Sequence, residues 1–160
     1  MEITQARVRE LFDCQENGLL IGRPGFKGRK SGGLIGKLHK GYLQATVDHK
    51  THFVHRLVFL WHHGYLPAEV DHIDGVKTNN KIDNLRPATR HENVRNRPAH
   101  RNNVSGYKGV TWDSRRSKWR ADITVNYKQT FLGYFTAAEL AHAAYAKAAK
   151  QAFGEFARTA

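Results

Sequence analysis

Asp71 and His72 stand side by side in this chain, and Asn84 and Asn93 follow at short intervals. A carboxylate and an amide oxygen are hard donors that suit Mg²⁺ or Mn²⁺, ions that keep several waters and share their remaining positions with phosphate oxygens. An unliganded histidine beside them could take a proton from water near neutral pH. The chain also carries 26 Lys+Arg against 14 Asp+Glu, a net charge of +12. Metal donors, a base and surplus positive charge are the parts needed to hydrolyse a phosphodiester.

Those residues need elements to position them. Residues 70–73 read as a strand, followed by a polar turn region through 75–83. Thr89 and Glu92 have the spacing of a capping box, so a helix should start there, run to about Arg97 and stop before Pro98. Strand, loop and helix would make a ββα unit folded around one point. Adjacent residues on a regular strand face opposite ways, so Asp71 and His72 can share a site only where the strand bends or ends. Gly75 permits such a bend. Asp74 reads as a turn residue ahead of it rather than a ligand, and His55, at a helix start, reads equally as a packing or capping residue and as a reactive one.

Upstream, residues 4–12 predict a short helix and 19–21 a strand. Residues 22–36 are rich in glycine and basic side chains, a mobile loop or an open hairpin whose backbone could approach phosphates. Residues 42–47 and 51–54 alternate like a hairpin, and 55–63 form a compact apolar helix closed by Gly64. Residues 99–106 read as a polar linker. After it, 107–111, 119–125 and 129–132 predict three strands, with Asn126 and Tyr127 turning between the last two. A second capping box, Thr136 with Glu139, opens an Ala-rich helix that should stop at Gly154.

Composition sets the outer bounds. Apolar residues are 40% and charged residues 25% of the chain, a globular balance. No apolar run could span a bilayer, and the N-terminus lacks the pattern of a signal peptide. Cys14 is the single cysteine, so neither a disulfide framework nor a cysteine zinc site is expected. A sequence pI near 10.1 points to a polyanion. Residues 1–45 hold 8 basic and 4 acidic side chains, 46–100 hold 8 and 6, and 101–160 hold 10 and 4. Chemistry is thus expected in the balanced middle, and grip in the flanks.

The runs Asp-His-Ile-Asp-Gly (71–75), Asn-Leu-Arg-Pro-Ala-Thr (84–89) and Glu-Asn-Val-Arg-Asn (92–96) resemble the HNH endonuclease signature in its H-N-N form. His-Arg-Leu-Val (55–58) and Gly-Tyr-Leu-Pro (64–67) are similar to phage and homing members. The resemblance covers about residues 40–98. It implies that Asp71 and Asn93 ligate a divalent metal and that His72 is the general base. It implies also that Asn84 holds the loop and orients His72. Arg56 and Arg86 are plausible phosphate contacts. Asn93 stands where many members have His, which argues against zinc and for a Mg²⁺-type site.

Residues 106–157 look like the plant Apetala-two/ethylene-response-factor DNA-binding domain. The match includes Tyr-x-Gly-Val, Trp-x-Ala-x-Ile, Leu-Gly-x-Phe and Ala-x-x-Ala-Tyr. One helix should cover one face of a three-stranded antiparallel sheet. Ala141, Ala144, Tyr145 and Ala148 are small or flat enough for close packing there. The other face should display Lys108, Arg115, Arg116, Lys118, Arg120 and Lys128, with Trp112 among the charges. By position, DNA contacts would also fall at Thr111, Asp113, Asp122, Thr124, Gln129 and Phe131. Several of these are Arg or Trp in the plant proteins, so the fold is better supported than any base preference.

The expected protein is α+β. A ββα-metal nuclease domain spans 1–98 (core 40–98, N-terminal basic extension 1–39), 99–105 form a linker, and 106–160 a DNA-binding sheet on one helix. The expected activity is metal-dependent hydrolysis of double-stranded DNA by a phage-encoded or homing endonuclease, with Mg²⁺ or Mn²⁺ as cofactor. A monomer in the cytoplasm of a bacterial host, away from membranes, is the expected setting. A non-catalytic DNA-binding regulator on a relic nuclease fold is the alternative, and an RNA-binding protein the third reading.

Overall fold

The computed structural model describes residues 2–24, 32–95 and 103–157, and it divides into two compact units, residues 1–90 and 91–160. The glycine-rich basic segment therefore lies partly outside the described residues, and the linker expected at 99–105 does so for 99–102.

In the first unit, helix α1 (Gln5–Leu11) starts where the Thr4 hydroxyl accepts the Arg7 N–H. It leads into the antiparallel strands β1 (Phe12–Cys14), β2 (Leu20–Gly22) and β3 (Leu34–Ile35). A second sheet, β4 (Lys37–His39), β5 (Tyr42–Val47) and β6 (Lys50–Phe53), turns between its last two strands at Asp48 and His49. Both turn residues have positive φ, the backbone that matches strand twist in two-residue hairpins. Helix α2 (Val54–His63) buries Val54, Leu57, Val58, Phe59 and Leu60 against Val8, Phe12, Leu20 and Val47. That shared core ties the N-terminal strands to the helix ahead of the candidate site.

Strand β7 (Glu69–His72) pairs antiparallel with β8 (Leu85–Ala88), joined through a short 3₁₀ turn at Ile82–Asn84. The sequence expectation places no strand at β8, which contains Pro87. In a two-stranded ribbon each strand is an edge, where a missing N–H is tolerated. Helix α3 (Arg90–Arg95) follows, and the helix end expected near Arg97 falls outside the described residues.

The second unit is a sheet of order β11-β10-β9, built from β9 (Val110–Asp113), β10 (Lys118–Val125) and β11 (Lys128–Phe135). Helix α4 (Ala138–Phe153) buries Ala138, Ala141, Tyr145 and Ala149. Its first turn departs from expectation: Ala137, not Thr136, occupies the cap, with no side-chain hydrogen bond. Gly109 has φ +72, and a methyl there would overlap the Tyr145 ring and stand 2.7 Å from the Asp122 carbonyl oxygen. Only glycine lets β9 begin this close to helix and sheet.

Candidate nuclease site and candidate nucleic-acid interface

Strand alternation decides where the adjacent pair points. Asp71 lies opposite Arg86 and His72 opposite Leu85, so the two side chains leave opposite faces of the ribbon. Both are buried. The ladder of β7 stops at His72, whose carbonyl accepts the Gly75 N–H in a tight turn. A site that uses both residues must form around this strand end.

His72 is held by its Nε2, 3.0 Å from the Oδ1 of Asn80. An amide oxygen only accepts, so this contact takes a ring protonated at Nε2, whose neutral tautomer carries its lone pair on Nδ1. A general base in this arrangement would act through Nδ1. Asn80 is 1% exposed. The His72 ring meets His55 edge-on at 4.8 Å and Tyr42 at 6.1 Å between centroids. Phe53 stacks on His55 at 5.4 Å. Burial, then the fields of His72 and Arg56, push His55 down to about 3, so it stays neutral. Among the described residues its Nδ1 has no hydrogen-bond partner.

Asp71 receives two hydrogen bonds on Oδ2, from Arg86 Nε at 2.9 Å and Nη2 at 2.8 Å. Arg86 is therefore not the displayed phosphate contact that the sequence suggested. It is buried, and its fork fixes the Asp71 carboxylate. Arg56 is also engaged, donating to the carbonyls of Pro67 and Ala68 at 3.2 Å each.

Asn84 donates to Asp74 Oδ1 at 2.9 Å and to the Asn79 carbonyl at 2.8 Å, and accepts the Asp74 N–H at 3.1 Å. Asp74 also takes the Val76 N–H and the Asn79 amide. Burial alone would raise the Asp74 pKa, but these hydrogen bonds outweigh it and hold the carboxyl below its ordinary range. Asn84 and Asp74 are thus the knot of the loop, while the partner of His72 is Asn80. No sequence rule separated Asn80 from its neighbour Asn79.

One cation escaped the sequence reading. Lys77 sets its Nζ 4.6 Å over the Tyr42 ring and has no carboxylate partner among the described residues. Asn93 is half-buried on α3 and belongs to the second unit.

Among the described residues no three His, Cys, Asp or Glu side chains gather as a metal group. That donor set does not fit a protein-enclosed zinc site. It does fit a hard cation held by one carboxylate and completed by amide, water and phosphate oxygens.

In the second unit the open face of the sheet carries Thr111, Asp113, Lys118, Arg120, Asp122, Thr124, Gln129, Phe131 and Tyr134, by register and alternation. Arg120 forks onto Asp122 at 2.7 and 2.8 Å, beside the Phe131 ring. Arg116 pairs with Asp113 and covers Tyr134. Thr111, Arg120, Asp122, Thr124 and Gln129 line a shallow groove of about 440 Å³. Two expected members lie elsewhere. Trp112 is opposite Trp119 and shares its helix side, with rings 5.1 Å apart. Lys128 is opposite Val125, on that same side at the hairpin end. Arg115 is exposed in the β9–β10 turn, and Lys108 is half-buried before β9.

Comparison with known proteins now bears on the first unit. Residues 52–95 match the HNH endonuclease family. This HNH segment runs from β6 to α3 and contains Asp71, His72, Asn80, Asn84 and Asn93. The chain is also 42% identical over 57 residues to "Protein 3.8" of Escherichia phage T7. That match spans 36% of this chain and 47% of the phage protein, so about half of the relative is covered. No solved structure matches. No helix among the described residues is long and apolar enough to cross a membrane.

Proposed function

We propose that this protein is a metal-dependent DNA endonuclease of phage or mobile-element origin, with His72 as the general base. One observation carries the reading: within the HNH segment, the Oδ1 of buried Asn80 lies 3.0 Å from His72 Nε2, a contact that suits the neutral tautomer with its lone pair on Nδ1. His72 would draw a proton from water as the water attacks phosphorus. A base in this position contributes roughly 10²–10⁴-fold in rate.

Asp71 would hold a Mg²⁺ or Mn²⁺ ion, its carboxylate oriented by Arg86, and the sequence reading adds Asn93 as a second oxygen donor. When bound, such an ion supplies charge stabilisation at the scissile phosphate and leaving oxygen. Asn84 and Asp74 keep the loop shaped so that Asn80 reaches His72. Lys77 would contact a backbone phosphate, because the Tyr42 ring holds its ammonium within the aromatic cluster around His72. The sheet of the second unit would grip duplex DNA through Lys108, Thr111, Arg115, Arg116, Arg120 and Thr124, with Arg120 and Arg116 tempered by their aspartates. The Apetala-two-like reading of this unit rests on its motifs.

The second reading, a non-catalytic DNA-binding protein, draws on the Asp71–Arg86 pair, since a carboxylate already held by a guanidinium would suit a structural role. Supercoiled plasmid incubated with Mg²⁺, Mn²⁺ or chelator separates the two. The endonuclease reading expects nicked or linear product with either metal, none with chelator, and a higher metal requirement for Asp71→Ala or Asn93→Ala. DNA binding without cleavage under any metal would leave the regulator.

A further inference from the structure

The segment before the HNH match reaches the loop that carries Asn80, the residue in contact with the candidate base. The β1–β2 turn is held by the Gln15 N–H on the Leu19 carbonyl, the Gly18 N–H on the Gln15 carbonyl, and the Leu19 N–H on Asn17 Oδ1, at 2.9, 2.9 and 3.0 Å. Phe12 and Leu20, at its two ends, are fully buried, so the turn is fastened to the core of the unit. Its tip lies against the loop that carries Asn80. A methyl built on Gly18 would overlap the Asn80 carbonyl carbon and oxygen and stand 2.5 Å from the Lys81 nitrogen. These are backbone atoms, which cannot step aside as a flexible side chain can. Asn80 is buried, and its Oδ1 is the hydrogen-bond partner of His72 Nε2.

We infer that the β1–β2 turn is a strut of the catalytic apparatus, with Gly18 a positioning residue that sets Asn80 and, through it, the His72 ring. The inference rests on the proposed role of His72, and it enlarges the functional unit. Gly18 lies well outside residues 52–95, so that segment alone lacks the surface on which Asn80 is seated. A shift of about 1 Å in a catalytic group costs on the order of 10²-fold in rate.

The test uses full-length protein with Gly18→Ala, Asn80→Ala, their double variant, and Gly154→Ala. Gly154 also has positive φ (+56) but nothing within 4 Å, so it controls for backbone strain alone. Three readouts are taken: the single-turnover cleavage rate with Mg²⁺, the dissociation constant for a DNA duplex, and the ¹⁵N signals of the His72 imidazole. Gly18→Ala should slow cleavage about 10- to 100-fold with DNA affinity within about twofold of the parent. It should also perturb the His72 Nε2–H signal as Asn80→Ala does. The double variant should lose little more than either single one, since both act through one hydrogen bond. Gly154→Ala should match the parent.

If Gly18→Ala does not fold, Asn17→Ala carries the test, because it loosens the turn without a clash. A smaller rate loss and a shifted His72 signal are expected. A parental His72 signal in the folded turn variant overturns the strut, as does parental cleavage beside a slowed Asn80→Ala. If His72→Ala and Asn80→Ala both cleave at the parental rate, the proposed role of His72 as the base fails instead. The imidazole spectrum still judges the strut, since it needs no cleavage.

Discussion

The Asn80 side-chain oxygen lies 3.0 Å from the Nε2 of His72, and both residues are buried. Replacing Asn80 with Ala removes the group that selects the tautomer and fixes the ring. Cleavage should fall about 10- to 100-fold, the range typical of partners that orient a reactive imidazole. DNA affinity should hold. Measured by single-turnover kinetics and fluorescence anisotropy, a loss of affinity equal to the loss of rate would point to a misfolded loop.

Arg86 and Asp71 form a buried pair, with side-chain exposures of 10% and 5%. Arg86→Ala leaves a carboxylate buried without its guanidinium, which should cost about 3–5 kcal/mol in urea denaturation. Arg86→Lys should recover only part of that, because an ammonium cannot reproduce the fork. A cost below about 1 kcal/mol for Arg86→Ala would show the pair to be solvated.

The fold was legible where local chemistry and packing agreed. Helix α2 and its Gly64 end, the Asp48–His49 and Asn126–Tyr127 turns, and the body of α4 follow from apolar spacing and turn residues. Strand β8 did not, since a four-residue run containing Pro87 carries little strand signal until the cross-strand pair of Arg86 with Asp71 is known. The motif positions in the site could be read from the sequence, but their partners could not. Whether Asn80 or Asn84 reaches His72 depends on how the Asp74 loop folds, and whether Arg86 faces solvent depends on strand register. Trp112 was misplaced for the same reason, because the face of a short strand is set by its first paired residue.

His55 carries the clearest pH dependence. Its folded pKa, lowered to about 3, lies below the ordinary value of 6.5. Its neutral form therefore stabilises the fold fully above about pH 6.5, and that contribution fades as pH falls toward 3. The slope for one proton is about 1.4 kcal/mol per pH unit at most. His55→Phe should flatten this acid limb in melting curves from pH 7 to pH 4. An unchanged slope would place the titration in other groups.

Lys77 and Arg115 are exposed cations in different units, so each tests phosphate contact separately. Lys77→Ala and Arg115→Ala should each weaken DNA binding and flatten the slope of log affinity against log salt by about 0.9. Lys77→Ala should also slow cleavage, whereas Arg115→Ala should leave the rate at saturating DNA intact. Equal slopes across parent and both variants would remove these side chains from the interface.

The most direct measurement is plasmid cleavage by His72→Ala beside the parent, with Mg²⁺ and with chelator, at matched DNA occupancy. The parent should convert supercoiled plasmid only with the metal. His72→Ala should bind DNA equally well and cleave roughly 10²–10⁴-fold more slowly. Cleavage by His72→Ala at the parental rate would contradict the assignment of the base, and with it the mechanism built on Asn80.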